Sequence, residues 1–222
     1  MNKIFCIGHF KTGTTSYHLA VRMLGFADLH FPLKYAEHIM AGGSTRWDVR
    51  PWDSMSNMNE VEYKMCDEVY PDSKFIVTTR GVDGWLKSIQ GHLSMNWPPR
   101  LKKLLDWRSE KVFGVPCDIE AYDEAHFRKI YLQWHEEVKD YFYSSPDRYR
   151  SFLMLPVESR TKMEDLSRFL GKDVPYPRMN VTTDESLATF KAPGFPATFE
   201  NHTKEGYPKE PGFMKFEEAL KW

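Results

Sequence analysis

The chain has 222 residues, 41% of them hydrophobic and 15% aromatic, which is enough to bury a sizeable core and too apolar for a disordered chain. Thirty Lys and Arg against 31 Asp and Glu leave a formal net charge of −1, so nothing in the overall charge supports nucleic-acid binding, and local basic residues are expected to serve local anion sites. No apolar run approaches the roughly 18 residues of a membrane span, nothing before Lys3 reads as a signal peptide, and Cys6, Cys66 and Cys117 lack metal-ligand spacing; together these point to a cytoplasmic protein with reduced thiols.

Ile4 to Ile7 form the unbroken apolar run of a strand covered on both faces, and Tyr17, Leu19, Ala20, Met23 and Leu24 then recur at helical spacing. The segment Lys11-Thr12-Gly13-Thr14-Thr15-Ser16 between them is therefore a strand-to-helix turn. Gly8 and Gly13 permit tight turning, and the N–H groups of residues 13–16 open a helix whose first turn lacks internal partners and carries partial positive charge. A phosphate or sulfate fits there, although a well-capped helix start alone would also explain these residues. The order differs from a Walker A loop, where Lys follows the second Gly and a Ser or Thr then binds magnesium; here Lys11 precedes Gly13.

Residues 25–31 are expected to form a short second strand, residues 32–57 are polar, aromatic and unassigned, and residues 59–69 read as a helix stopped by Pro71. Lys74-Phe75-Ile76-Val77-Thr78-Thr79 is a further buried strand with Arg80 at its carboxyl end, where ligands collect in open α/β sheets. Ser88 follows on a helix carrying Trp85 and Ile89, and a guanidinium and a hydroxyl so placed can converge on one phosphate. Trp97-Pro98-Pro99 breaks the chain before a short helix at residues 101–107. A long helix spans about residues 118–143, its apolar stripe running through Phe127, Ile130, Trp134, Val138 and Tyr141. A strand at residues 151–156 and a helix through Met163, Leu166, Phe169 and Leu170 follow. The alternation predicts an α/β fold with three α/β/α layers around a central parallel sheet, one domain over residues 1–222 with residues 181–222 as a tail packed on the core.

The two anion loops, in this order and each behind a strand, resemble those of the P-loop-like sulfotransferases that use 3′-phosphoadenosine 5′-phosphosulfate (PAPS). Tyr70-Pro71-Asp72-Ser73-Lys74 through Arg80, then Trp85-Leu86-Lys87-Ser88, and the stretch from Leu166 through Pro175 to Asn180 are similar to the small bacterial and marine branch, over roughly residues 3–180. The resemblance implies in-line transfer of a sulfuryl group from PAPS to a hydroxyl or amine without a metal, leaving 3′-phosphoadenosine 5′-phosphate (PAP). Lys11 would stabilise the leaving phosphate; Lys11, Thr12, Gly13, Thr14, Thr15 and Ser16 would hold the 5′-phosphosulfate; Arg80 and Ser88 would hold the 3′-phosphate. Trp85 has an adenine-stacking role or packs in the core, and Lys191 or Lys204 covers the 3′-phosphate or belongs to a solvated tail.

Loss of the acceptor proton calls for a base, which the resemblance places before the strand ending in Arg80. Asp53 is the first choice and Asp48 and His9 are the alternatives; where relatives carry an Asp nearer the helix, this chain has Ser56 and Asn57, and His30, His38 and His92 are given no role. The acceptor, a small molecule or a glycan facing Trp47, Trp52, Trp97 and Trp107, and the oligomeric state stay open. Two readings compete: a P-loop nucleotide kinase, which needs a magnesium-binding hydroxyl after a Gly-Lys pair, and a non-catalytic PAP-binding protein.

Overall fold

The strands form wherever short apolar or hydroxyl-bearing runs can be covered from both sides. The computed structural model describes residues 2–43 and 51–172. In chain order these are β1 (Ile4–Cys6), α1 (Thr14–Met23), β2 (Asp28–His30), α2 (Leu33–Met40), β3 (Ser54–Ser56), α3 (Tyr63–Val69), β4 (Lys74–Thr79), α4 (Val82–Leu93), α5 (Pro99–Phe113), a 3₁₀ turn (Ile119–Ala121), α6 (Glu124–Tyr143), α7 (Pro146–Arg150), β5 (Phe152–Pro156) and α8 (Lys162–Leu170). The strands make one parallel sheet in the order β2-β3-β1-β4-β5.

Alternation along the strands sends neighbouring residues to opposite faces. Phe5, Ile7, Phe75 and Val77 pack with Tyr63, Cys66, Val138 and Phe142 of α3 and α6. Ile4, Cys6 and Ile76 pack with Tyr17, Ala20 and Val21 of α1 and Leu166 and Leu170 of α8. Helices therefore cover both faces of the sheet, as expected for a three-layer α/β fold. A further cluster joins Trp85 and Ile89 of α4, Leu104, Leu105 and Phe113 of α5 and Phe127 of α6 beneath Phe10. Cys6, Cys66 and Cys117 are buried free thiols.

Several elements differ from expectation: α2 lies in the unassigned stretch, α7 is an added short helix, and α6 starts at Glu124 rather than near residue 118, behind the separate 3₁₀ turn. β3 lay in the unassigned region because Ser54 and Ser56 disguise a fully buried strand. α3 begins at Tyr63 rather than at residue 59, leaving Asn59 and Glu60 in a buried turn. α5 continues to Phe113, well past residue 107, because its buried face includes Arg108 and Ser109, which break the apolar pattern. The core stripe of α6 runs through Phe127, Tyr131, His135, Val138 and Phe142, with Ile130, Trp134 and Tyr141 beside it and only partly buried. Two of those core positions carry polar groups, so the apolar count had shifted the stripe by one residue at three places. Trp47, Asp48, Lys191, Lys204 and the segment 181–222 lie outside the described residues. Among the described residues no helix is long and apolar enough to cross a membrane.

Candidate active site

The chain leaves β1 through a loop that only glycine allows at two points. A Cβ on Gly8 would sit 2.0 Å from Thr78 Oγ1 and 2.8 Å from Thr12 Oγ1, so the loop rests directly on β4. Thr12 Oγ1 donates to the His9 carbonyl at 2.7 Å and, with its proton so used, accepts from Thr78 Oγ1 at 2.8 Å. Lys11 (φ 64°) and Gly13 (φ 95°) then adopt the left-handed region, and a Cβ on Gly13 would meet Val157 Cγ1 at 2.3 Å. α1 opens at Thr14 with no side-chain cap and no acidic residue in its first turn. Its leading N–H groups are thus free to receive an anion.

The carboxyl end of β4 is braced from α6. Tyr131 Oη donates to the Arg80 carbonyl at 2.8 Å and accepts from the Arg80 N–H at 3.1 Å. The guanidinium runs along α4: a Cβ on Gly84 would lie 3.3 Å from Arg80 Nε, and Ser88 stands one turn further on the same face. Among the described residues nothing forms a hydrogen bond or ion pair with that guanidinium. Trp85 does not face a ligand. It is fully buried, stacks on Tyr131 with centroids 4.2 Å apart and donates from Nε1 to the Phe10 carbonyl at 2.8 Å, which ties α4 and α6 to the loop.

These parts meet in one cavity of about 390 Å³, with Lys11, Gly13, Thr14, Thr15, Arg80 and Ser88 on its wall. Both sequence-predicted anion loops therefore open onto the same space. Thr12 and Ser16 do not reach the wall; Thr12 is a buried brace inside the loop and Ser16 is exposed elsewhere.

The candidate bases are placed differently. Asp53 precedes β3, and in a parallel sheet that puts it at the amino edge, opposite Lys11 and Arg80. Its carbonyl accepts from the Ile4 N–H at 2.9 Å and its Oδ2 accepts from the Ala27 N–H at 2.8 Å. Asp53 is a structural tie at the wrong edge of the sheet and not a base for this cavity. His9 is fully buried behind the loop, with its ring centroid 3.9 Å from that of Trp134 and neither ring nitrogen bonded, and burial holds it neutral, well below the ordinary histidine range. It does not line the cavity.

The remainder of the wall holds polar residues that the sequence had not singled out: His30, Asn57, His92 and Arg108. Arg108 is fully buried; Nε donates to the Glu60 carboxylate, Nη1 donates to Asn57 Oδ1 at 3.2 Å, and the guanidinium lies 3.8 Å from the Phe10 ring centroid. Its Nη2 is buried with no partner among the described residues. His92 is pushed down to about 4 by burial, then by Lys11 and Arg108. Phe31, Met95, Trp97, Leu101 and Leu105 add apolar surface to the lining. A signal for His30 existed, since it ends an expected strand on the rim where ligands collect. Arg108 gave none, because the helix carrying it was expected to stop one residue earlier.

Residues 3–184 match the sulfotransferase domain family, and the chain belongs to it. The crystal structure of a sulfotransferase from Alicyclobacillus acidocaldarius is similar to this chain at 13% identity and a TM-score of 0.49, covering 86% of this chain and 90% of that one. No curated protein matches the chain.

Proposed function

We propose that this member of the sulfotransferase domain family moves a sulfuryl group from PAPS to a hydroxyl or amine of an acceptor held in the same cavity. The observation that carries the reading is the convergence of Lys11, Gly13, Thr14 and Thr15 with Arg80 and Ser88 on one wall. Two cationic grips match a donor phosphorylated at both its 5′ and 3′ positions, and the second grip is what separates PAPS from a simple 5′-nucleotide. The open first turn of α1 and Lys11 take the 5′-phosphate, where charge accumulates as the bond to sulfur breaks; by analogy with phosphoryl transfer, positioning and charge stabilisation supply most of the rate. Arg80, whose guanidinium forms no ion pair among the described residues, takes the 3′-phosphate with Ser88. The apolar part of the lining suits an acceptor whose reactive group sits on a compact apolar or aromatic body.

The kinase reading lacks its parts. Lys11 precedes Gly13, and no carboxylate is found among the described lining residues to hold magnesium. Titration calorimetry tests the donor: PAP should bind, and Arg80→Ala should weaken PAP by about 10- to 100-fold, the worth of one charge-assisted contact, while leaving adenosine 5′-phosphosulfate nearly unchanged. Equal loss for both nucleotides would remove Arg80 from the 3′-phosphate, and tighter binding of magnesium ATP than of PAP would favour the kinase. Transfer of labelled sulfate from PAPS separates an enzyme from a non-catalytic binder.

A further inference from the structure

With Asp53 at the far edge and His9 sealed in the core, the cavity needs another group to take the acceptor proton, and its wall contains one that is already oriented. β2 and β3 pair with Asp28 opposite Ser54 and His30 opposite Ser56, so Asp28 and His30, two residues apart, share one face of the sheet. Asp28 Oδ2 lies 2.7 Å from His18 Nδ1 on α1 and accepts from Ser56 Oγ at 2.7 Å. Ser56 Oγ in turn lies 2.8 Å from His30 Nδ1, and the two imidazoles stack with centroids 4.8 Å apart.

The three ligating atoms of His18, Asp28 and His30 are within 4.8 Å of one another, a spacing a cation would accept. The directions of the hydrogen bonds make a chain that orients His30 instead. A carboxylate only accepts, so the single proton of Ser56 is committed to Asp28. Ser56 Oγ must then accept from His30, which fixes neutral His30 as the Nδ1–H tautomer. The lone pair is left on Nε2, which has no partner among the described residues, and the ring lines the cavity.

We infer that His30 is the general base of the sulfuryl transfer, with Ser56 and Asp28 as the residues that position it. This rests on the donor reading above. The acceptor O–H gives its proton to His30 Nε2, the acceptor oxygen forms the new bond to sulfur, and the bond between sulfur and the 5′-phosphate oxygen breaks with its electron pair staying on the phosphate beside Lys11. The imidazolium that results is stabilised through Ser56 by the buried Asp28 carboxylate, and its proton passes to solvent when product leaves. Burial lowers His30 to about 4, His18 on α1 and Arg108 on α5 add to this and Asp28 on β2 opposes it, so the ring is neutral and ready to accept at pH 7. A bound polyanion raises it toward neutrality, where a base works best.

The tautomer is read directly by nitrogen NMR of histidine-labelled full-length protein, with His30→Gln assigning the signal. At pH 7 this orientation predicts a protonated Nδ1 and a bare Nε2; the opposite tautomer overturns it. Kinetics provide the second arm, as PAP release from PAPS with phenols of graded acidity, or with water as acceptor where no phenol is taken. His30→Gln should cost about 100-fold in kcat with the least acidic acceptor and with water, and no more than about threefold with 4-nitrophenol, which scarcely needs a base. PAP affinity should stay within about twofold, and imidazole should restore turnover to His30→Ala. A loss that is uniform across the phenols, or no loss, overturns the assignment. Failure of the unaltered protein to bind PAP would instead overturn the donor reading, and the NMR result then decides on the tautomer alone.

Discussion

Arg108 shows how much one side chain can be asked to hold. Its guanidinium is fully buried, and its charge is balanced by Glu60, also buried, with Asn57 and the face of Phe10 completing the surround. Desolvating two such charges costs nearly as much as their attraction returns, so the pair as a whole adds little stability, yet neither partner tolerates being left alone. Glu60→Gln or Arg108→Met should each destabilise the fold by about 3–5 kcal/mol, while Arg108→Met combined with Glu60→Leu should recover most of that loss. Urea denaturation of the three variants checks this; a double variant no more stable than the worse single one would mean the pair is a net source of stability.

At the scale of elements, the loop between β1 and α1 depends on glycine for two separate reasons at Gly13: a positive φ, and a neighbour 2.3 Å from where a Cβ would sit. Gly13→Ala should therefore cost about 1–3 kcal/mol in thermal or urea unfolding and, on the proposed donor binding, weaken PAP by more than that, because the N–H groups following it would hold the 5′-phosphate. Adding Val157→Ala removes the clash but not the strained φ, so it should restore part of the stability; full restoration would show that the backbone conformation is not strained. This loop and the β4–Arg80–α4 junction were legible in the sequence because each couples an unbroken apolar strand to a helix of the right period, and order along the chain then puts both at one rim. β3 was not, because three residues with two serines carry no periodic signal. Asp53 was misplaced for that same reason: without β3 there was no means of telling that it stands at the amino edge. Arg108 stayed hidden because a charged residue on the buried face of α5 reads as the end of a helix. His30 stands on an expected strand, but the role inferred for it depends on Ser56 in the neighbouring β3, which the sequence does not reveal.

Across the described residues, buried histidine shapes the response to acid. His9, His30, His92 and His135 are all held below the ordinary value, each chiefly by burial. The unfolded chain would protonate all four near pH 6.5. Between that pH and the lower folded values, about 4 for His30 and His92, the unfolded state binds more protons, so stability falls as the pH falls. Glu62 works against this. Burial, reinforced by Glu60, raises it to about 7, so the folded state takes up a proton first and gains stability from pH 7 down to the ordinary carboxylate range. Four histidines outweigh one carboxyl, each contributing at most about 1.4 kcal/mol per pH unit. The urea midpoint should thus drop steeply between pH 6.5 and 4.5 and change little from pH 7 to 8. His30 and His92 sit on the wall of the cavity that holds Lys11 and Arg80, and His92 already feels Lys11. A bound polyanion raises both toward their unfolded value and cancels their part of the acid loss, while His9 and His135, off that wall, keep theirs. Saturating PAP should accordingly stabilise the protein more at pH 5 than at pH 7.5, and equal stabilisation at the two pH values would place the bound nucleotide away from both histidines.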